Sequence, residues 1–331
     1  MVGCHTGGEI GDVVTGGLGK VPGASMFDKR LYMEQHLDEI RRLLLLPPRG
    51  SVIRSVNFVL PSSVPEADLG YVIAETTEYP VMSGSNTICT ATVLLETGMV
   101  PIVEPITNLV LESPAGLIPL TCECHDGKVT SVRFVNQPAF VYHLDRKIDI
   151  PGYGPVRVDV AWGGMAYVLV DAADLGFSLV PEEAAELCRV GQVVKSAAAE
   201  QLTAVHPLEP RYAGITQTEF TGPLRREEGV LASRNTVIVS PGRVDRSPCG
   251  TGTSARLAVL YAKGQIEPGE TFVHESLIGS RYHGRIESLT SVGDVPAIVP
   301  SVAGSAHITS IAQVGLDPSD PFPVGYELSD V

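Results

Sequence analysis

The chain has 331 residues, enough for one large domain or two ordinary ones with full cores. Its 24 Lys and Arg against 38 Asp and Glu give a net charge of −14, which argues against a nucleic-acid backbone as partner. The aliphatic run at residues 43–46 falls far short of the ~20 residues a membrane span needs, and no secretory signal pattern is read. The expectation is a cytoplasmic enzyme with reduced thiols, bound to neither membrane nor nucleic acid.

Taken in order, residues 2–5 read as the end of a first strand, and His5 as a histidine bonded to backbone rather than one that reaches a site. Gly16-Gly17-Leu18-Gly19-Lys20 lacks the spacing, the following Ser or Thr and the strand–loop–helix context of a phosphate loop. Residues 28–46 show helical periodicity, with Leu31, Leu37, Ile40, Leu43 and Leu44 on one side and Pro47-Pro48 as the stop. Residues 52–60 and 69–74 read as strands and 86–98 as a helix. Strands follow at 109–111, 117–124 and 129–135, joined by Gly and Asp-Gly turns. Cys122 and Cys124 sit two apart in one strand, side by side on a face, and support neither a bridge nor zinc. Asp126-Gly127 marks the lobe boundary.

Beyond it, strands at 157–161 and 166–170 flank Trp162-Gly163-Gly164. A helix spans 181–202, with Pro181 and Glu182-Glu183 at its start. Strands at 215–221 and 236–239 lead into a turn, a helix at 253–263, and final strands that carry Ile286, Ile298-Val299 and 306–308. Strands outnumber helices and most connections are short, so the class is α+β in two lobes, each a curved, mostly antiparallel sheet around a central helix.

The chemistry concentrates in Asp245-Arg246-Ser247-Pro248-Cys249-Gly250-Thr251-Gly252-Thr253. A cysteine, then a small-residue turn, then a helix places a sulfur beside amides that have no intrahelical acceptor and carry the positive end of the helix dipole. Such a start binds carboxylate- or phosphate-sized anions, and its field is expected to lower the Cys249 pKa. The surrounding proline, glycines and Asp-Arg pair do not make a packed core, which favours a reactive thiol over a buried structural one. A second copy exists: Ser83-Gly84-Ser85-Asn86-Thr87-Ile88-Cys89 aligns on Cys249-Gly250 and its continuation without a gap at an offset of 166 (249 − 83). Two such helix starts are suited to clamp one anion, with Ser83 and Cys249 facing it from opposite sides.

The second stretch resembles the Asp-Arg-Ser-Pro-Cys-Gly-Thr-Gly-Thr signature of the proline racemase family. Weaker matches run over most of the chain: Cys4-His5-Thr6-Gly7-Gly8-Glu9, Pro48-Arg49-Gly50, Glu275-Ser276-Leu277-Ile278-Gly279-Ser280 and residues 317–325. The resemblance implies a diaminopimelate epimerase-like fold of two pseudo-symmetric lobes. The first would hold residues 1–125 plus about 296–331 and the second 126–295, with the active site in the cleft between them. It implies cofactor- and metal-free removal of the α-proton of a cyclic amino acid, with Asp245 on the ring ammonium and Gly84, Ser85, Gly250 and Thr251 in substrate binding. The family's racemases use a cysteine on each side; here position 83 is Ser, and Ser85 stands where His is usual. A hydroxyl is a weaker acid and a poor unaided base. Cys89, nearly two turns into the helix, is badly placed to replace it.

One competent thiol favours elimination, so dehydration of trans-3-hydroxy-L-proline to a pyrroline carboxylate is the first expectation. 2-Epimerisation of 4-hydroxyproline is the second and proline racemisation the third. A non-catalytic binder of a cyclic amino acid is the competing class, and the presence of Cys249 and Asp245 argues against it. The assembly is left open, with a homodimer as one option.

Overall fold

The structure, a computed structural model, describes residues 1–327. The expected first lobe runs to residue 331, so its last four residues lie outside the described ones. The chain divides into two compact units: residues 1–134 with the C-terminal stretch from 304, and residues 135–303.

The first unit opens with the hairpin of β1 (Val2–Thr6) and β2 (Glu9–Val14). Gly7 and Gly8 turn it, at φ 56° and 92°, values that glycine adopts without strain. Ser25 then starts α1 (Met26–His36) through a capping box with Asp28. The single helix expected over 28–46 is two. Leu37 leaves helical geometry (φ −131°, ψ 18°), closes α1 on Met33 O and takes the Ile40 N–H that opens α2 (Asp38–Leu45). Asp38 and Glu39 sit in the new first turn, where the dipole favours acids. There follow β3 (Arg54–Leu60), β4 (Leu69–Ala74), α3 (Gly84–Glu96), β5 (Ile106–Ser113), β6 (Gly116–His125) and β7 (Lys128–Val135). Asp126-Gly127 is the β6–β7 hairpin turn, within this unit.

The last strand, β18 (Ala306–Ile311), lies antiparallel to β1, so the ladder runs β18–β1–β2–β3–β4–β5–β6–β7. It is parallel at β2–β3 and β4–β5 and antiparallel elsewhere. Helix α3 is buried from Gly84 through Leu95 and packs on β1, β2, β3 and β18. Met33, Leu45, Phe58, Val72 and Tyr79 share a separate core beneath α1 and α2.

The second unit holds β8 (Ala139–Ile150), β9 (Gly154–Trp162), β10 (Ala166–Asp171), α4 (Ala184–Gln201), β11 (Gln217–Thr221), β12 (Arg225–Glu227), β13 (Val230–Val239), β14 (Arg243–Val244), α5 (Gly250–Ala262), β15 (Thr271–Glu275), β16 (Arg281–Val292) and β17 (Val295–Gly304). Pro181–Glu183 forms a 3₁₀ turn ahead of α4, so the α-helix begins at Ala184 rather than 181. The ladder β8–β9–β10–β11–β13–β15–β16–β17 closes on itself, because β17 also pairs with β8. Closure removes the open edges that a sheet of this length would present. Helix α5 is buried from Gly250 through Leu260 and touches β8, β9, β10 and β16, while α4 packs on β8, β11 and β13. Strand β8 and most of β16 lie outside the expected elements. Register shifts at Val141/His143 and His143/Arg146 break the alternation of β8, and a run of exposed residues at 287–291 blurs that of β16.

Helices α3 and α5 start at 84 and 250 rather than at the expected 86 and 253. Their ends match as well: 250 − 84 and 262 − 96 both give 166.

Candidate active site

Cys249 is the N-cap of α5, at φ 66° and ψ 113°, left-handed backbone that a non-glycine residue enters only under constraint. The constraint is a chain of local bonds. Asp245 N–H bonds Val237 O at 2.8 Å, tying the turn to β13. Asp245 Oδ1 accepts from the Ser247 amide and hydroxyl (2.8 and 2.9 Å), and Ser247 Oγ accepts the Cys249 N–H at 3.0 Å. Asn235 Nδ2 donates to Pro248 O at 2.9 Å. The Thr253 amide and hydroxyl both bond Cys249 O, at 2.8 and 2.7 Å.

The sulfur is thereby aimed back over the helix start. Sγ accepts the Gly252 N–H at 3.3 Å and lies 3.4 Å from the Tyr167 hydroxyl, which in turn bonds Thr251 Oγ1 at 2.6 Å. Cys249 and Asp245 are each 6% exposed. Burial pushes the Cys249 thiol well above its ordinary pKa, and the Asp245 carboxylate adds to the rise. The Tyr167 hydroxyl and the Gly252 N–H work in the opposite direction. The helix-start amide therefore acts with the expected sign, but the expected lowering is overturned. Desolvation of a buried thiolate outweighs one hydrogen bond and a dipole.

Ser83 is the N-cap of α3 in extended backbone (φ −150°, ψ 122°), and its side chain caps no backbone amide. Its Oγ instead accepts from Asn86 Nδ2 at 3.0 Å. The Ser83 carbonyl takes the Thr87 amide and hydroxyl at 2.9 and 2.7 Å. Ser83 is half-buried, while Gly84 and Ser85, the first two helical residues, are buried. Cys89 is fully enclosed; a Cβ on Gly11 would lie 3.1 Å from its sulfur, so it packs between α3 and β2. Burial and the neighbouring Cys4 thiol raise its pKa strongly. His5 Nδ1 accepts the Gly8 N–H at 3.3 Å, and its ring lies 5.5 Å from that of His307.

Asp245, Cys249, Gly250 and Thr251 thus share one turn in the second unit, and Ser83, Gly84 and Ser85 share the corresponding turn in the first. Four residues in contact with these turns escape the sequence reading. Tyr167 sits in a continuous apolar strand run like any core residue, Asn86 is hidden within the helix, and Gly163 looks like turn material. The fourth, Glu219, is fully buried on β11 with Oε1 at 3.6 Å from His274 Nε2. A Cβ on Gly252 would lie 3.1 Å from its Oε2, which puts this carboxyl directly beneath the Cys249 turn.

The family described as Proline racemase matches residues 1–327. A hydroxyproline epimerase from Agrobacterium vitis, crystallised with bound trans-4-hydroxy-L-proline, is 38% identical to this chain. The match covers 100% of this chain and 95% of that one at a TM-score of 0.92. A probable proline racemase from Agrobacterium radiobacter K84, with bound carbonate, is also 38% identical, over 100% and 96% of the two chains at 0.93. At 14% identity, a phenazine biosynthesis protein of the PhzF family from Bacillus anthracis shares the fold, over 93% and 96% of the chains at 0.58. A whole-length family match and two relatives at this identity agree, and the chain belongs to the proline racemase family.

Proposed function

We propose that the protein removes the α-proton of a proline-type amino acid and that its principal reaction is 2-epimerisation of 4-hydroxyproline. The observation that carries this reading is the single turn that brings Asp245 and Cys249 together immediately ahead of α5. The Gly250 and Thr251 amides suit a substrate carboxylate, and Asp245 suits the ring ammonium. That ammonium offsets the negative charge by which Asp245 raises the thiol pKa. Substrate binding therefore moves Cys249 toward the thiolate, the form that accepts a proton.

Sγ takes the α-hydrogen as a proton, and the electron pair left on carbon spreads into the carboxylate, where fixed helix dipoles face the growing charge. In this reading Ser83, at the start of α3, is the second proton-transfer group and gives its hydroxyl proton to the α-carbon on the face opposite to the one that lost its hydrogen. Cys249 then loses the captured proton to solvent, and Ser83 regains one. The relative with bound trans-4-hydroxy-L-proline, 38% identical over the whole chain, puts epimerisation ahead of dehydration. Ser83 keeps dehydration of trans-3-hydroxy-L-proline as the second reading, because protonating a leaving hydroxyl never requires the serine to act as a base.

Proton NMR in D₂O separates the two. Deuterium entering the α-position of trans-4-hydroxy-L-proline with a new epimer, lost in Cys249→Ala, is the expected result. Conversion of the 3-hydroxy compound to a pyrroline product, with the 4-hydroxy compound untouched, would give the assignment to the dehydratase. No reaction in either tube would overturn both.

A further inference from the structure

A serine at a helix N-cap ordinarily spends its oxygen on the amide two or three residues on. Ser83 does not; its oxygen accepts from the side chain of Asn86, the third residue of α3. The direction of that bond is set from outside the helix. The backbone carbonyl of Asp12 on β2 has only an acceptor to offer, so the Asn57 group 3.2 Å away is its NH₂. The second hydrogen of that NH₂ goes to Asn86 Oδ1 at 2.8 Å. Asn86 must then turn its own NH₂ toward Ser83 Oγ. Asn57 and Asn86 are buried, and Gly11 makes the room, since a Cβ there would sit 2.8 Å from Asn86 Oδ1. From Asn57 onward the chain Asn57, Asn86, Ser83 is thus polarised in one sense, and it ends on the serine oxygen.

We propose that Asn86, held by Asn57, is a positioning residue that makes Ser83 a competent partner to Cys249. Donation into Oγ occupies one lone pair and leaves the hydroxyl hydrogen to point away from Asn86. It also stabilises the oxygen as negative charge grows on it during proton delivery, where a hydrogen bond counts for more than it does to a neutral hydroxyl. A serine without such a donor would rotate freely and bear the alkoxide charge alone.

This inference rests on the reading of Ser83 as the second proton-transfer group. The test compares wild type, Asn86→Ala, Ser83→Ala and the double variant on trans-4-hydroxy-L-proline in D₂O. It follows epimer formation and α-deuterium uptake separately. Asn86→Ala is expected to lower kcat for epimer formation about 10- to 100-fold with KM little changed. In the Ser83→Ala background the same change should leave the residual deuterium uptake, which reports Cys249 alone, unaltered. Asn86→Asp keeps the acceptor for Asn57 but removes the donor to Ser83, so it should match Asn86→Ala in a side chain of the same shape. Equal losses with and without Ser83 would overturn the inference and make Asn86 a structural residue of the helix start. A faster Asn86→Asp enzyme would overturn it too, by showing that Ser83 needs a base instead. If wild type fails to exchange the α-proton at all, the functional reading fails first and takes this inference with it.

Discussion

At the residue scale the site depends on how closely backbone approaches backbone. A Cβ built on Gly163 would lie 2.1 Å from Thr251 O and 2.5 Å from Ala255 N. Both atoms are main chain of the first turns of α5, so neither can swing aside as a flexible side chain would. Gly163→Ala is expected to push the helix start away from the strand end and carry Cys249 with it. The loss should be about 1–3 kcal/mol of stability with a large drop in turnover, checked by denaturant unfolding and by α-proton exchange. Unchanged stability would mean that the turn yields more easily than this geometry allows. In the sequence Trp162-Gly163-Gly164 is legible only as punctuation between two strands. Its partner, nearly 90 residues on, appears once the ladder closes. Ser83 and Cys249 were legible because small-residue turns before a helix advertise themselves locally. Tyr167 and Asn86 were not, because a buried strand tyrosine and a helical asparagine have the same local pattern whatever they touch.

At the element scale, the expected pair of helices is present with Ser83 and Cys249 as N-caps, each starting earlier than apolar periodicity placed it. Small residues in a first turn carry no hydrophobic signal, so the pattern begins late. Periodicity was equally blind to what lies beneath the α5 turn. Glu219 on β11 is faced by His274 from β15, Arg256 from α5, Asn235 from β13, Tyr167 from β10 and Cys249 from the turn. Burial raises its pKa to about 8, with Arg256 pulling the other way. The native state therefore holds a proton on Glu219 that the unfolded chain releases above its ordinary value of 4.5. As pH climbs from 4.5 toward 8 the unfolded state binds fewer protons than the native one, so this carboxyl subtracts about 1.4 kcal/mol of stability per pH unit. His274 works against it: burial lowers its pKa, so the native ring stays neutral and stability falls as pH drops below the unfolded value of 6.5. Glu219→Gln keeps the shape and removes the titration. Its unfolding free energy should match wild type near pH 5 and exceed it by a margin that widens toward pH 8. A margin that does not change with pH would show that Glu219 is ionised in the native state.

At the scale of the whole molecule, an α+β class rich in strands was legible from alternating runs and frequent turns. Ring closure was not, because the β8–β17 contact joins residues more than 150 apart whose local patterns are irregular. The two units also differ in how the chain builds them. Residues 135–303 are continuous, carry their own apolar clusters around Phe140, Trp162, Leu257 and Phe272, and have a ladder that closes without residues from elsewhere. The first unit needs both ends of the chain. β18 pairs with β1 from Val2↔Ile311 to Thr6↔Ala306, and α3 packs on it. Met1 N donates to Ala312 O and Thr6 Oγ1 to Ser305 O, while Arg49 pairs with Asp320. Cutting off residues from 304 onward would leave β1 as an unpaired edge and uncover one flank of the buried helix α3 that carries Ser83. A fragment of residues 135–303 is therefore expected to show strand-rich circular dichroism and a cooperative thermal transition by itself. Residues 1–134 alone should give no cooperative transition and should aggregate. Adding back a peptide that spans β18 should restore order to the second fragment, since the missing contacts come from that segment. If instead 1–134 melts cooperatively alone, β18 is dispensable and the Ser83 helix is held by β2 and β3.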